Sequence, residues 1–458
     1  MQGPATLERR LANFRAAARS RPLDTPWQRA ASADLAERMA EALDGEVLRT
    51  ARGTVVRREP RTHELPIDRE RLALLPGQPP PEAPLVCLDT ETTGLATAAG
   101  TVAFLVGLGW WEGDRFRQVQ LLLPDHAEEA ALLESIAERI TPDAWLVTYN
   151  GRGFDWPLLV TRFRMARRAA PEHAGHLDLL PIVRRLFRHR MADARLRTAE
   201  AELLGLRRIG DVEGWQIPGR YLDFLRGGPA DPLVEVVRHN DQDVRSLAHL
   251  VGHVERGYAD REARRAAPPG DLAGLARVFA RARRFDEALE CLDAAVAAPP
   301  AAPTPPKVEP IPLPVRARET AAEWWQPAYR ADFGGRPRRR PEPLPGYPHP
   351  AAFAAPWSEE RLFLDRAHVL RRLGRIEEAC DAWRALAASP GRLGVVASIE
   401  LAKLREHRLR DHVGALEAAT RGLAAAERRR RLGRPEPSLE ANLEHRLARL
   451  RRRLSPRN

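Results

Sequence analysis

The sequence predicts an α/β protein in which a mixed β-sheet flanked by helices is followed by an α-helical repeat region. Three observations support this prediction. Three strand-like segments follow one another between residues 85 and 123, and strand-like and helix-like segments alternate after them. Strands in succession followed by such alternation favour a sheet of mixed rather than purely parallel direction. From about residue 271 the composition changes to helical segments rich in alanine, leucine and arginine.

Residues 1–84 are predicted to form an N-terminal extension that packs on the main domain or leads into it. This part begins with a basic helical segment, continues through the extended-looking GTVVRREPRTHELPI and ends in LLPGQPPPEAP. Proline-rich segments interrupt regular structure and are common between domains. The main domain is therefore expected to span residues 85–255.

The main domain begins with three predicted strands, LVCLDTE, VAFLVGLGWW and FRQVQLLL. The next segment, EEAALLESIAERI, has apolar residues on one helical face and is predicted to be a helix. AWLVTYN is then predicted to be a strand and PLLVTRFRMARR to begin a helix. The rest of the domain is helix-rich and ends in the long segment PLVEVVRHNDQDVRSLAHLVGHV.

The C-terminal region repeats a scheme of an apolar helix, a basic turn and a second helix that begins with acidic residues and alanine. Ala288, Ala379 and Ala415 correspond, and the last two are 36 residues apart. This spacing is close to the tetratricopeptide (TPR) period of about 34 residues. Three unrelated hairpins packed on the main domain are the alternative. The predicted divisions are a TPR-like hairpin at 271–298, a Pro-rich linker at 299–356, and a TPR-like region with a basic tail at 357–458.

The chain carries a net charge of +11, and almost all of its cations are arginines; Lys307 and Lys403 are the only lysines. Arginine binds phosphate through its two-pronged guanidinium group, so this composition favours a polyanionic partner such as nucleic acid. A GC-rich genome, which encodes arginine in place of lysine, explains the arginine bias equally well. The net positive charge still indicates a polyanion.

Cysteine and hydropathy patterns argue against secreted, zinc-finger and membrane classes. Cys87, Cys291 and Cys380 are far apart and form no CxxC pair, which excludes a disulfide framework or a thiolate zinc site. No apolar run approaches the roughly 18 residues of a membrane span, and the N-terminus lacks the apolar core of a signal peptide. We therefore expect a soluble, cytoplasmic protein without a membrane partner.

The first acidic phrase, VCLDTETTGL, contains Asp89 and Glu91. Side chains two apart in a strand point to the same side, so both carboxylates can reach one metal ion. An ionised acid in such apolar context needs compensation, and magnesium is the usual cation for oxygen ligands. Thr92, Thr93 and Gly94 form a turn beside the site and are expected to contact substrate. A surface D-x-E on an edge strand is the alternative.

The second acidic phrase, YNGRGFDWPLL, places Asp155 at or near the start of a helix, with Pro157 in a favoured early position. Taken alone, Asp155 is best explained as a helix N-cap. Taken with the other phrases, it is better explained as a metal ligand. Asn150 and Arg152 are expected to contact substrate, with Arg152 on phosphate; a solvated loop charge is the alternative for Arg152.

The third acidic phrase, RHNDQDVRSL, lies on a predicted helix. His239 and Asp243 are four residues apart and share one face, whereas Asp241 points elsewhere. Asp243 is predicted to be a metal ligand. His239 is placed to orient or deprotonate an attacking water, and a solvated or capping histidine is the alternative.

The ordered phrases LDTETTGL, YNGRGFD and HNDQDVRSL resemble the DEDD 3′–5′ exonuclease superfamily, which has a ribonuclease H-like fold. More narrowly, the chain resembles the bacterial YprB-like ribonuclease H-like proteins, with which it shares the phrases HLDL, ELLGL and IPGRY. The resemblance covers about residues 85–255. It implies two divalent ions, Mg²⁺ or Mn²⁺, and cleavage of nucleic acid, RNA or DNA, from a 3′ end. It assigns the ligand roles to Asp89, Glu91, Asp155 and Asp243.

One feature departs from this family pattern. The two well-known branches have Tyr-x3-Asp or His-x4-Asp in the third phrase, whereas this chain has His-x3-Asp, formed by His239 and Asp243. His239 is therefore either the base that positions water or a residue that only supports a ligand. Asp178, in an apolar stretch expected to continue the sheet, is predicted to support the site from behind the metal ligands or to have a structural role.

Two functions follow from these patterns. The first is a metal-dependent nuclease, expected to be a 3′–5′ exonuclease that hydrolyses single-stranded or frayed nucleic acid with two metal ions. Endonuclease action is a close variant. The second is a scaffold in which a non-cutting nuclease fold binds nucleic acid or a protein, with the TPR-like repeats providing the partner surface.

Overall fold

The computed structural model describes residues 26–94, 100–298, 309–310 and 359–455. These residues belong to two compact units. The first unit takes the chain as far as Pro66 and adds Ala83–His176 and Gly210–Ala248; the second takes Ile67–Glu82, Leu177–Ile209 and the chain from His249 onward. The predicted basic start of the chain and the Pro-rich linker, apart from residues 309–310, lie outside the described residues. The five-part division predicted from sequence stays a prediction.

The described residues form ten strands. They are β1 (Glu46–Thr50), β2 (Gly53–Arg58), β3 (His63–Glu64), β4 (Leu85–Thr92), β5 (Ala103–Glu112), β6 (Arg115–Leu122), β7 (Trp145–Thr148), β8 (Gly175–Asp178), β9 (Leu206–Arg207) and β10 (Glu309–Pro310).

Sixteen α-helices are described. They are α1 (Pro26–Leu43), α2 (Arg69–Ala73), α3 (Glu129–Ala137), α4 (Asp155–Met165), α5 (Leu179–Leu186), α6 (Leu196–Ala199), α7 (Ile217–Leu225), α8 (Leu233–Tyr258), α9 (Arg261–Arg264), α10 (Pro269–Arg281), α11 (Phe285–Ala297), α12 (Glu359–Arg372), α13 (Ile376–Ala387), α14 (Arg392–His407), α15 (His412–Arg431) and α16 (Pro437–Leu454).

The main sheet has the strand order β1-β2-β6-β5-β4-β7-β8, with β3 paired to β6. The pair β4–β7 is parallel, whereas β1–β2, β2–β6, β6–β5 and β5–β4 are antiparallel. The sheet is therefore mixed and flanked by helices, as the sequence predicts. The extended-looking part of the N-terminal extension supplies β2 and β3 to this same sheet.

The core of the first unit explains why these segments form strands and helices. Leu85, Val86, Cys87 and Leu88 of β4 are buried, and β5 is buried along most of its length. On α7, the buried Tyr221 ring stacks on Phe104 with ring centroids 4.1 Å apart, and its hydroxyl donates to the Leu123 carbonyl at 3.0 Å. The IPGRY phrase therefore ties a helix to the sheet.

From α10 onward the second unit is helical apart from the two-residue strand β10, and the sequence predicts this helical region. Each helix from α10 to α16 packs against the next along the chain. Ala288, Ala379 and Ala415, the corresponding residues of the proposed repeats, are all fully buried near the start of the second helix of a pair. The TPR-like assignment itself stays a prediction. Within the part of the chain that the structure describes, none of the helices combines the length and apolar character that crossing a bilayer requires.

Candidate functional site

The first unit brings the four predicted acids into one electrostatic cluster. Asp89 and Glu91 lie on β4, Asp155 is the first residue of α4, and Asp243 lies on α8. Asp89 feels the negative charge of each of the other three, and Glu91 feels that of Asp155 and Asp243. Segments that are far apart in sequence thus bring their carboxylates close enough for the charges to influence one another.

Repulsion within this acidic cluster favours protonated carboxyl groups. Desolvation, together with the charges of Asp243, Glu91 and Asp155, raises the pKa of Asp89 well above its ordinary value. Desolvation likewise raises the pKa of Glu91 to about 8, against the opposing charge of His239. Like charges held together out of water disfavour ionisation, and a cation reverses that preference. A bound cation would therefore favour the ionised forms of Asp89 and Glu91.

Asn240 holds Asp89 in place through a row of residues that crosses three strands. Asp89 on β4 is opposite Gly107 on β5, and Gly107 is opposite Gln120 on β6. The buried Asn240 side chain donates to Asp89 Oδ2 at 2.9 Å and accepts from Gln120 Nε2 at 2.9 Å. A Cβ atom at Gly107 would overlap Asn240 and Val244. Glycine is needed there because α8 approaches the sheet so closely.

Asp155 is fixed by the same strand that carries the first two acids. The Thr90 hydroxyl donates to Asp155 Oδ1 at 2.5 Å, and both residues are buried. Phe154, not Asp155, occupies the N-cap position of α4, and no side chain caps that helix end. The N-cap alternative for Asp155 is therefore wrong, and its carboxylate is directed to β4.

His239 lies between two of the acids and is oriented by a third carboxylate. Its Nε2 is 3.9 Å from Glu91 Oε1 and 3.6 Å from Asp243 Oδ2, while its Nδ1 is 2.7 Å from Asp211 Oδ1. A carboxylate only accepts hydrogen bonds, so Nδ1 carries the proton and Nε2 faces the cluster. Desolvation lowers the pKa of His239. The Asp211 hydrogen bond and the charges of Asp243 and Glu91 outweigh this and raise the pKa to about 9.

The turn after β4 is ordered by its own hydroxyl groups. The Thr92 hydroxyl donates to the Gly94 carbonyl at 2.6 Å, and the Val102 amide donates to Thr93 Oγ1 at 3.0 Å. The glycine is followed by residues 95–99, which lie outside the described residues. The expected substrate contacts of Thr92, Thr93 and Gly94 stay predictions.

The loop of the second acidic phrase is anchored at both of its ends. The Gly151 amide donates to the Thr148 hydroxyl at 3.2 Å, and Asn150 adopts a positive φ of 71°. Arg152 donates to the carbonyl of His176. The guanidinium group thus has a role in holding the loop, and its expected contact with phosphate stays a prediction, as does that of Asn150.

Two further acids have positions of their own. Asp178, in the second unit, is the N-cap of α5 and accepts from the Leu180 amide at 3.1 Å. This contact accounts for a structural role, and its predicted support of the metal ligands stays a prediction. Asp241 forms an ion pair with Arg245 at 3.3 Å, away from the acidic cluster, as its place on the helix predicts.

The four carboxylates provide the oxygen donors that divalent cations prefer. Within the described residues, no group of three or more His, Cys, Asp or Glu side chains is arranged so that it could hold a metal ion by itself. Mg²⁺ does not require one, because it is usually bound by one or two carboxylates together with waters and substrate phosphates. Mg²⁺ and Mn²⁺ prefer oxygen ligands such as these carboxylates. A bound cation would also reduce the repulsion between them. The arrangement suits cations shared between protein and substrate.

Sequence reasoning missed Asp211, Asn240 and Thr90, each of which holds one of the predicted site residues. Asn240 had a detectable signal, because it occupies the apolar face of α8 defined by Val236 and Val244, where a polar residue requires a partner. Asp211 lies in an irregular segment 28 residues before His239. No periodic pattern in the sequence indicates that pairing.

Comparison with known proteins gives two similarities. A family model of the RNase_H superfamily matches residues 86–255. The uncharacterized protein YprB of Bacillus subtilis (strain 168) is 30% identical to this chain over 345 residues, which cover 75% of this chain and 70% of YprB. The range matched by the family model contains all four acids and His239.

Proposed function

We propose, from the premise that this chain belongs to the RNase H superfamily together with YprB, that it is a divalent-metal-dependent nuclease. More specifically, we propose a 3′–5′ exonuclease of the DEDD type that acts on single-stranded or frayed RNA or DNA. The observation that carries the proposal is the grouping of four carboxylates from β4, α4 and α8, in which neighbouring acids help to raise the pKa values of Asp89 and Glu91.

In this proposal Asp89, Glu91, Asp155 and Asp243 hold two divalent ions, Mg²⁺ or Mn²⁺. When bound, the ions supply activation of the attacking water and stabilisation of the leaving oxygen. The chain's own contribution is to fix the four carboxylates before substrate arrives. Asn240 holds Asp89 and Thr90 holds Asp155 through the hydrogen bonds described above.

His239 is proposed to accept a proton from the attacking water at Nε2. Asp211 fixes the ring so that Nδ1 is the protonated nitrogen and Nε2 faces Glu91 and Asp243. The charges of these two acids help to hold the pKa of His239 at about 9. Cations bound to these acids would offset their charges and so lower the pKa of His239 toward neutrality. Nε2 could then act as a base.

Substrate contacts are proposed for the loops beside the acids. Thr92 ends β4, Thr93 and Gly94 follow it, and Asn150 and Arg152 lie in the loop before α4. Backbone amides, hydroxyls and a guanidinium group are typical partners of phosphate and sugar oxygens. We place the enzyme in the cytoplasm, where its three buried, unpaired cysteines would stay reduced.

A cleavage assay on the full-length chain tests the proposal. With Mg²⁺ or Mn²⁺, the wild type should shorten oligonucleotides stepwise from a free 3′ end, and EDTA should stop the reaction. Asp89→Asn should reduce the rate by at least about 100-fold, because it removes one charged ligand. Asp241→Asn is the matched control and should cleave normally, since Asp241 pairs with Arg245 away from the cluster.

Matched substrates separate the variants of the proposal. RNA and DNA of one sequence, each with a free or blocked 3′ end, distinguish nucleic-acid class and polarity. Cleavage of blocked substrates would replace the exonuclease proposal with an endonuclease. Cleavage by Asp89→Asn at the wild-type rate would contradict the site itself.

The second candidate is a scaffold that binds nucleic acid or a protein without cutting it. The successive helix pairs of the C-terminal region favour it, because stacked helix pairs form partner surfaces, and TPR-like repeats would be one such arrangement. Calorimetric titration separates the two candidates. Heat of Mn²⁺ binding that Asp89→Asn abolishes supports the nuclease, whereas no heat at millimolar Mn²⁺ supports the scaffold.

A further inference from the structure

Arginine is concentrated at one end of the C-terminal helices. Residues 405–411 and 446–453 contain eight arginines and only two acids, Glu406 and Asp411, whereas the whole chain has 73 basic and 62 acidic residues. A bias of the whole chain toward arginine does not explain this local excess over acids. We call these arginines the C-terminal arginine cluster; they are Arg405, Arg408, Arg410, Arg446, Arg449, Arg451, Arg452 and Arg453.

A single buried carboxylate connects the two segments. Arg449 donates to both oxygens of Glu406, at 2.9 and 2.6 Å, and Arg446 donates to one of them at 2.6 Å. The Glu406 side chain is 0% exposed. These contacts place the end of α14 against the last turns of α16, so the arginines of both segments belong to one surface.

The cluster holds more positive charge than Glu406 requires. Arg446 and Arg449 already satisfy both carboxylate oxygens, yet Arg453 and His407 also approach to 3.5 and 3.6 Å. Arg408, Arg410, Arg451 and Arg452 are exposed, and none of them has a carboxylate partner among the described residues. Unpaired like charges repel one another and cost stability, so the surface is poised to bind anions.

A second arginine-rich end provides a contrast within the same unit. Residues 427–440 contain five arginines but also three glutamates. Arg429 and Arg430 form ion pairs with Glu436 and Glu440, each at 3.2 Å. The acids there compensate most of the charge, whereas the C-terminal arginine cluster is left with a large positive excess.

We propose that the C-terminal arginine cluster is a binding surface for the phosphate backbone of single-stranded nucleic acid. Many exposed guanidinium groups spread over two segments suit a series of phosphates better than one isolated anion. Few aromatic side chains are available in these segments, so binding is independent of base sequence. The inference rests on the proposed nucleic-acid substrate, and it adds a binding surface distinct from the residues assigned to cleavage.

Binding without cleavage tests this surface. Fluorescence anisotropy is measured in EDTA with the full-length chain and 5′-fluorescein-labelled 20-nucleotide oligo(dT) and oligo(U). The variant Arg408→Gln/Arg410→Gln/Arg452→Gln removes three exposed charges that do not touch Glu406. We expect at least about tenfold weaker binding. The slope of log affinity against log salt should fall by about 2, since each lost phosphate contact on a single strand removes about 0.7.

The control variant Arg428→Gln/Arg431→Gln/Arg434→Gln removes the same charge from the compensated end. It should bind less than about threefold more weakly than the wild type. Equal losses in the two variants, or none in the first, would overturn the proposal. The proposal would also be overturned if the wild type bound neither oligonucleotide but bound vesicles containing phosphatidylglycerol. Circular dichroism confirms that each variant is folded.

Failure of this inference is distinguishable from failure of the nuclease proposal. Selective loss of binding in the first variant supports the surface even where no cleavage occurs with Mg²⁺. Magnesium-dependent cleavage by the wild type, together with unchanged oligonucleotide binding by the first variant, supports the nuclease and contradicts the surface.

Discussion

Two acidic sites, one in each unit, differ in how their negative charge is balanced. The first unit gathers four carboxylates with one imidazole, and desolvation and repulsion raise the pKa values of Asp89 and Glu91. The second unit buries Glu406 among arginines. Desolvation raises the pKa of Glu406. The hydrogen bond and charge of Arg449 outweigh this, together with the charges of His407 and Arg446, so the pKa lies below its ordinary value.

Glu406 is neutralised by guanidinium groups of its own chain, whereas neighbouring acids help to raise the pKa values of Asp89 and Glu91. A buried carboxylate with guanidinium partners is a completed ion pair, whose loss leaves charges unpaired. Carboxylates that raise one another's pKa values form an incomplete site, which an external cation would complete. The comparison therefore predicts that neutralising Glu406 and neutralising an acid of the four-acid cluster have opposite effects on stability.

The largest stability effect is expected for Glu406→Gln. This change leaves Arg446, whose side chain is only 9% exposed, beside Arg449 and Arg453 without their carboxylate. We expect the free energy of unfolding at neutral pH to fall by about 3 kcal/mol, as for other broken buried ion pairs. Urea unfolding followed by far-ultraviolet circular dichroism measures it.

Asp243→Asn in EDTA is the paired comparison. It removes one source of repulsion on Asp89 and Glu91. We expect a stability equal to that of the wild type or up to about 1 kcal/mol higher, since acids of active sites are commonly retained at a cost in stability. A loss as large as that of Glu406→Gln would show that the two units do not differ in this way.

A smaller effect is expected for Asp211→Asn, which tests how His239 is oriented. The amide can donate to Nδ1 and so permits the tautomer with the proton on Nε2, where the proposed base must accept one. We expect kcat to fall by about 10- to 100-fold, the usual effect of losing an orienting partner, with little change in KM. Single-turnover cleavage of a labelled oligonucleotide measures it.

Asp241→Asn is the matched control for Asp211→Asn, because both carboxylate side chains are 16% exposed and pair with a basic residue. Asp211→Glu should restore part of kcat by returning a pure acceptor. Equal rates for Asp211→Asn and the wild type would mean that His239 does not act as the base.

Much of the fold could be predicted because its signals are local. The buried apolar run before Asp89 predicts β4, and the composition rich in alanine, leucine and arginine predicts the later helices. The addition of β2 to the sheet could not be predicted in the same way. Val56 pairs with Leu122 on β6, and such a distant pairing depends on tertiary packing rather than on local pattern.

The same distinction applies to the candidate site: residues in local motifs could be predicted, and residues brought together by tertiary packing could not. Asp89, Glu91, Asp155 and Asp243 stand in short phrases whose spacing indicates their chemistry. Their supports do not: Gln120 and Asn240 are 120 residues apart in sequence and meet only because Gly107 lets α8 approach the sheet. Glycines and buried polar residues occur in many structural contexts, so the spacing of Gly107, Gln120 and Asn240 in the sequence does not predict their role.

The last expected effect is a pH dependence of stability in EDTA, where no metal ion offsets the repulsion among the acids. Folded Glu91 keeps its proton until about pH 8, whereas its ordinary pKa is 4.5. Folded His239 keeps its proton until about pH 9 against an ordinary 6.5. In both cases the folded chain holds a proton that the unfolded chain has released. The free energy of unfolding therefore falls as pH rises from about 5 to 9.

We expect this fall to be at least about 1.4 kcal/mol, the equivalent of one unit of pKa difference. Urea unfolding at several pH values measures it, and Glu91→Gln isolates the contribution of the site from that of other titrating groups. Asp241→Asn should keep the wild-type slope, because Asp241 lies outside the cluster. Saturating Mg²⁺ should flatten the slope, since a bound cation takes the place of the retained protons. An identical slope in Glu91→Gln and the wild type would mean that Glu406 and the acidic cluster are compensated alike, and the contrast between the two units would not hold.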